Sequence, residues 1–311
     1  MIITNKLKER FCKDCNIPIH IFQEPYFTDR LKLYDNFYGT LEKWDIFVKE
    51  LEKYHCEQDY FEEYNNIKDC AILNIKNSEA YKRFNDEDMN LYYINHKYLP
   101  SQDIYHPDND GKTFISIDMR KANFSSLQHY DSDMFAGAPT WEDFIGLFTE
   151  NKHIISSKYI RQVILGNCNP RRHITYEKYL MDGVVDFVTT FFMPLNKIVF
   201  FSNDEIVFEI TDDEFDVESV NKLQVRLDSK TMIPFKVELF TLHKINGTNG
   251  YYKEIFKANG DKEIKFKCLD NLYLPFVIRH FLGEEVQDSD KVFYHEGLLA
   301  QFIEVPKIEI N

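Results

Sequence analysis

Apolar and polar residues alternate differently in three successive stretches of the chain. Between residues 40 and 98 the apolar positions follow helical spacing. Trp44, Phe47, Val48, Leu51 and Tyr54 form one set, and Tyr60, Phe61, Tyr64 and Ile67 continue it. This predicts a helical N-terminal region, 1–110. Its last part, 99–112, carries Pro100, Pro107, Asn109, Asp110 and Gly111 and predicts a loop leading into the next region.

The second stretch, 111–216, opens with Phe-Ile-Ser-Ile-Asp, an apolar strand ending on Asp118. Helices are expected from Asn123 to Tyr130 and from Trp141 to Phe148, the latter with Thr140 as its N-cap and Asp143 in its first turn. Ser156 to Leu165 reads as a helix closed by Gly166. Arg171 and Arg172 are placed in the loop after it. Thr175 to Phe192 reads as a long helix with Tyr176, Leu180, Val184 and Val188 along one side. Residues 199–210 predict a hairpin around a Ser202–Asn203 turn, with Asp204 and Glu205 just beyond.

From 217 to 311 the pattern reads as β-rich. Residues 235–242 and 251–256 alternate, the Asn246-Gly247 and Asn259-Gly260 pairs signal turns, and 264–267 alternates again. A helix near Leu274 to Leu282 is expected to pack on this meander. The fold class that follows is α+β: a helical N-terminal region, an antiparallel sheet backed by helices, and a β-rich C-terminal region.

Composition sharpens this picture. The 311 residues are 44% hydrophobic, with 27 Phe and 19 Tyr, enough to bury a sizeable core. No apolar run reaches the roughly 18–20 residues of a membrane helix, and the N-terminus lacks the apolar centre of a signal peptide. The expected location is therefore cytoplasmic, with the six scattered cysteines reduced. The abundance of Lys, Asn, Ile and Tyr over Ala suits an AT-rich genome, bacterial, phage or viral.

A net charge of −14 argues against non-specific nucleic-acid binding. The basic residues, however, fall into two stripes. One contains Lys152, Lys158, Arg161, Arg171, Arg172 and Lys178; the other Lys253, Lys257, Lys262, Lys265 and Lys267. Each is either a phosphate-facing surface or a solvated face.

The candidate chemistry lies in the carboxylates. Strand alternation puts Phe114, Ser116 and Asp118 on one face, and Glu205, Val207 and Glu209 on one face of the second hairpin strand. If the strands are neighbours, Asp118, Asp204 and Glu205 converge. Such a cluster is costly without a cation, and with Mg²⁺ or Mn²⁺ it suits phosphate chemistry.

These motifs resemble the palm of nucleotide polymerases and related nucleotidyltransferases. Ser-Asn-Asp-Glu-Ile is similar to the acidic hairpins of tRNA-histidine guanylyltransferases and diguanylate cyclases. Ile117-Asp118 followed by Asn123-Phe124 resembles the first palm motif, and Lys158 to Gly166 resembles the basic helix of replicative polymerases. The likeness spans about residues 112 to 212, and the 86-residue interval between Asp118 and Asp204 departs from it. It implies metal-dependent transfer of nucleotides, with Asp118, Asp204 and Glu205 as catalytic metal ligands. Asn123 and Phe124 would lie beneath the sugar, and Lys158, Arg161, Arg171 and Arg172 would bind the triphosphate. RNA or DNA is the implied partner, held by Lys253, Lys257, Lys265 and Lys267 on a thumb-like C-terminal region. A non-catalytic binding module and a cyclic-nucleotide or dinucleotide synthase are the alternatives.

Other signals are weaker. Cys12 and Cys15, with His20, His55 and Cys56, offer zinc ligands or simply reduced thiols near a helix end. His153 and His173 flank the first basic stripe and serve either proton transfer or structure. Tyr60 and Tyr64 either stack on bases or pack internally. Phosphate-loop and dinucleotide-binding glycine motifs are absent.

Overall fold

The computed structural model describes residues 2–211 and 215–310. The N-terminal helices are α1 (Asn5–Cys15), α2 (Tyr26–Tyr38), α3 (Thr40–Leu51), α4 (Glu57–Asn77) and α5 (Glu79–Asp86). Two of them, α1 and α2, fall outside the stretch whose spacing predicts helix. The signal for α1 is nonetheless local: the Thr4 hydroxyl accepts from the Leu7 amide at the N-cap, and Leu7 and Phe11, four apart, are fully buried. In α4 the buried set Tyr60, Tyr64, Ile67, Ala71 and Ile75 follows the predicted periodicity.

After β1 (Thr113–Met119) come α6 (Ala122–Tyr130), α7 (Trp141–Gly146), α8 (Lys152–Ser156), α9 (Lys158–Gly166) and α10 (Pro170–Phe191). The hairpin β2 (Ile198–Phe201) and β3 (Glu205–Ile210) leads to α11 (Val217–Thr231). Then follow β4 (Phe235–Asn246), β5 (Tyr251–Phe256), β6 (Lys262–Lys267), α12 (Leu274–Leu282), the hairpin β7 (Val292–His295) and β8 (Leu298–Gln301), and β9 (Glu309–Ile310). The chain is α+β with an antiparallel main sheet and a helical N-terminal region.

The sheet runs β2-β3-β1-β4-β5-β6, with β9 paired to β4. β1 is antiparallel to both β3 and β4, so β1 and β2 point the same way, as do β3 and β4. Two β-α-β units are thereby interleaved, the split βαβ arrangement. One face of the sheet is apolar. Ile115, Ile117 and Met119 of β1 join Ile206, Phe208, Phe235 and Leu239 against Met181, Val184, Val185 and Val188 of α10 and Val220, Leu223 and Leu227 of α11. The other face carries Asp118 and the residues described below.

Three expectations need correcting. Residues 217–231 are helical, not β: Val220, Leu223 and Leu227 recur at helical spacing and bury against the sheet, and Asp216 caps the helix through the Ser219 amide. Arg171 and Arg172 lie in the first turn of α10, not in a loop, because Pro170 suits the first helical position. The lysine-bearing strands are not a separate thumb. β4 pairs with β1 from Thr113↔Thr241 to Met119↔Phe235, so one sheet crosses the division expected at 216. The β4–β5 turn does use the predicted glycine: Gly247 has φ +83°, and a side chain there would run into the Lys307 backbone. Among the described residues no helix is long and apolar enough to cross a membrane.

Candidate functional site

Asp118 lies at the C-terminal end of β1, directly opposite Glu205 on one side and Lys236 on the other. Residues opposite one another in an antiparallel pair share a face, their Cβ atoms about 4.5–5.5 Å apart. The expected juxtaposition of Asp118 with Glu205 is therefore present in the register. Asp204 comes next to them through the turn. The Ser202 amide donates to the Glu205 carbonyl (2.9 Å), leaving Asn203 and Asp204 as the turn residues, one position later than the sequence pattern predicts. The Ser202 hydroxyl accepts from the Glu205 amide (3.0 Å) and donates to Asp204 Oδ1 (3.0 Å). The Met119 amide then donates to the Asp204 carbonyl (2.8 Å), fixing the turn beside the end of β1.

The electrostatics separate these acids. Burial, then repulsion from Glu205 and Asp204, pushes the Asp118 carboxyl up to about 6. Among the described residues no donor hydrogen-bonds to that carboxylate and no cation pairs with it. Its cross-strand neighbour Lys236 turns instead to Glu238, at 2.5 Å. Glu205 is raised by burial, while Lys253 and Lys267 oppose the shift; Lys253 Nζ stands 3.8 Å from it. Burial disfavours ionised Glu238, but hydrogen bonds from Lys236 and Lys265 outweigh it and hold that carboxyl at about 2. Asp118 is thus the half-buried acid of this face that no cation pairs with directly, the more distant Lys236 only partly opposing its shift.

A fourth carboxylate was not singled out by the sequence pattern. Glu177 of α10 is 3% exposed and accepts from Asn203 Nδ2 at 2.7 Å. Burial, with repulsion from Asp204, pushes it up to about 7. In the sequence it reads only as the acid opposing a basic stripe, because its place under the hairpin turn depends on how α10 crosses the sheet.

The expected phosphate-binding residues divide. Lys158 begins α9 with its side chain largely exposed. Partial burial of its ammonium, then repulsion by Arg161 and Lys267, lowers its pKa, while the Asp118 charge opposes the change. Lys158 thus links α9 electrostatically to the sheet. Arg161 is partly buried, with its Nε lacking a partner and Glu142 nearby. Lys121, a missed basic residue in the loop after β1, is ion-paired with that same Glu142. Arg171 is exposed. Arg172 donates to the Phe84 and Glu87 carbonyls and stacks over Phe84, which gives it a structural role in place of the expected one. Asn123 opens α6. Phe124, expected beneath the sugar, is 4% exposed and packs on Phe135, ring centres 4.7 Å apart.

The lysines expected to clamp a strand are largely engaged. Lys253 is 3% exposed, lying over the Phe240 ring at 4.1 Å. Lys257 pairs with Glu263, and Lys265 bonds Glu238 at 2.7 Å. Lys267 shares the face of Lys253 and Lys265, since Lys253 is opposite Lys265 and Tyr251 opposite Lys267.

The remaining candidates are structural. His153 bonds to the buried Asp14, and burial pushes His173 down to about 4. Tyr60 and Tyr64 are buried in the helical core. Burial raises the Cys12 thiol strongly and the Cys15 thiol to about 12, the reverse of what a thiolate ligand needs. Among the described residues no three His, Cys, Asp or Glu side chains stand close enough together to hold a metal ion. Comparison with known proteins finds no family model, no curated protein and no solved structure that matches the chain.

Proposed function

We propose that this chain is a metal-dependent nucleotidyltransferase acting on nucleoside triphosphates, with RNA or DNA as the second substrate. The observation that carries the reading is Asp118: a half-buried carboxylate, opposite a second one, with no hydrogen-bond donor or ion-pair partner among the described residues. Its surroundings disfavour the negative charge that an external cation would stabilise. Asp118, Asp204 and Glu205 carry only hard oxygen donors, which suit Mg²⁺ or Mn²⁺, but their side chains are not gathered closely enough to hold an ion as they stand, so binding would have to draw them together. A bound ion would supply charge neutralisation at phosphate and a more acidic attacking hydroxyl. The chain's own contribution is to hold the donors: the β1–β3 register sets Asp118 against Glu205, and Ser202 and the Met119 amide fix Asp204 in its turn. Lys158 and Arg161 approach from α9, where they would neutralise phosphate charge.

One observation favours a second reading, a binding module without catalysis. Lys236, Lys253 and Lys265 already compensate Glu205 and Glu238. The test is incubation with labelled nucleoside triphosphates and Mn²⁺, with and without RNA or DNA, followed by product analysis. Extended or tagged strands that vanish in Asp118→Asn support the transferase. A cyclic or dinucleotide product without a strand redirects it to a synthase. No product under any condition leaves the binding module as the better account.

A further inference from the structure

We infer that the cleft between α1, α9 and the end of β6 is a binding site for a nucleobase. Its volume is about 530 Å³, within the range of small-molecule sites. Three primary amides from separate segments line it: Asn16 at the end of α1, Gln162 on α9, and Asn271 beyond β6. Each amide offers both a donor pair and an acceptor, which matches the mixed edge of a base better than it matches an anion or a hydrocarbon. The amides of Asn16 and Gln162 have no hydrogen-bond partner among the described residues, while Asn271 meets only His20. The rings of Tyr38, Tyr159 and Phe266 line the same cleft, and Arg10 already lies over one face of Tyr159 at 4.8 Å.

The cleft adjoins the sheet through α9. Lys158 and Gln162 are four residues apart and therefore on one side of that helix. Lys158 is repelled by Lys267 and attracted by Asp118. A nucleotide whose base lies in the cleft would present its phosphate toward these two ammonium groups and relieve their repulsion. Choosing a nucleobase among planar heterocycles rests on the nucleotidyl-transfer reading; the presence of a ligand cleft does not. The base could arrive on a free nucleotide or on a single strand, and the experiment separates these sources.

The full chain in EDTA is titrated with each of the four ribonucleoside triphosphates by calorimetry, and with fluorescein-labelled single-stranded RNA and DNA 12-mers by anisotropy. The same titrations use Gln162→Ala, Gln162→Trp and Asn271→Ala, after matching thermal midpoints confirm that each folds. Loss of one amide contact weakens binding about tenfold, and the cleft-filling Gln162→Trp abolishes it. Binding of mononucleotides identifies the free nucleotide as the source; binding of the 12-mers alone identifies the strand. Absence of binding to every probe, or equal binding by wild type and both Gln162 variants, overturns the inference. Cleft binding that persists in a chain showing no transfer would overturn the transferase reading and leave this one standing.

Discussion

Asp14 is a buried carboxylate and Asp118 a half-buried one, and the chain treats them in opposite ways. Asp14, within the helical core, accepts from the Tyr64 and Ser157 hydroxyls at 2.8 Å each and meets His153 Nε2 at 3.1 Å. Asp118, on the sheet, has no such donor, and desolvation, then repulsion from Glu205 and Asp204, pushes its pKa up to about 6. The first charge is satisfied from within and ties α1 to α4, α8 and the N-cap of α9. The second has no such partners among the described residues. Burial alone therefore says little about role; whether the fold supplies the partners separates structure from site.

The largest effect expected from breaking this contrast is at Asp14. Asp14→Leu strands the Tyr64, Ser157 and His153 polar groups in a dry core and should cost about 3–5 kcal/mol in urea unfolding. A loss below about 1 kcal/mol would mean that the cluster is dispensable.

At Asp118 the sign reverses. A carboxyl that titrates at about 6 in the folded chain holds its proton more tightly there than when unfolded. Folded-state stability therefore falls as pH rises from about 4 to about 6. Asp118→Asn removes that penalty. In EDTA it should gain about 2 kcal/mol at pH 7.5 and nothing near pH 4. Glu177→Gln should behave alike with its window extended to about pH 7, since the carboxamide still accepts from Asn203. A destabilised Asp118→Asn at neutral pH would show that the carboxylate has an internal partner after all.

Smaller effects sharpen the assignment of the cations around the site. Arg161→Ala should weaken nucleoside triphosphate binding by about 1.5 kcal/mol, as expected for one charged hydrogen bond. Unchanged affinity would return α9 to the solvated surface. Smallest is Lys267→Gln, which should lower the salt slope of nucleic-acid binding by about 0.7–0.9, one phosphate contact. An unaltered slope removes β6 from the path of the strand.

The sequence made some of this legible and not the rest. The faces of β1 and β3 follow from strict alternation, and the β1–β3 register then sets Asp118 opposite Glu205, as the pattern implied. The helix α11 escaped because its buried residues Val220, Leu223 and Leu227 are few and widely spaced in a polar segment. The fate of the lysines was hidden for a different reason. Lys265 reaches Glu238 from β6, across β5, a proximity that only the β4–β5–β6 pairing defines, while Lys236 meets Glu238 from two residues away on β4 itself. Glu177 and Arg172 likewise take their roles from the path of one long helix, whose contacts at Asn203 and Phe84 lie far away in the chain.

The central claim is that Asp118 waits for a divalent cation while Asp14 does not. Mn²⁺ binding, followed by electron paramagnetic resonance at pH 7.5 in wild type, Asp118→Asn and Asp14→Asn, tests it most directly. The account predicts saturable binding in wild type, at least about tenfold weaker binding in Asp118→Asn, and no change in folded Asp14→Asn. Equal binding by wild type and Asp118→Asn, or no binding by wild type, would contradict it.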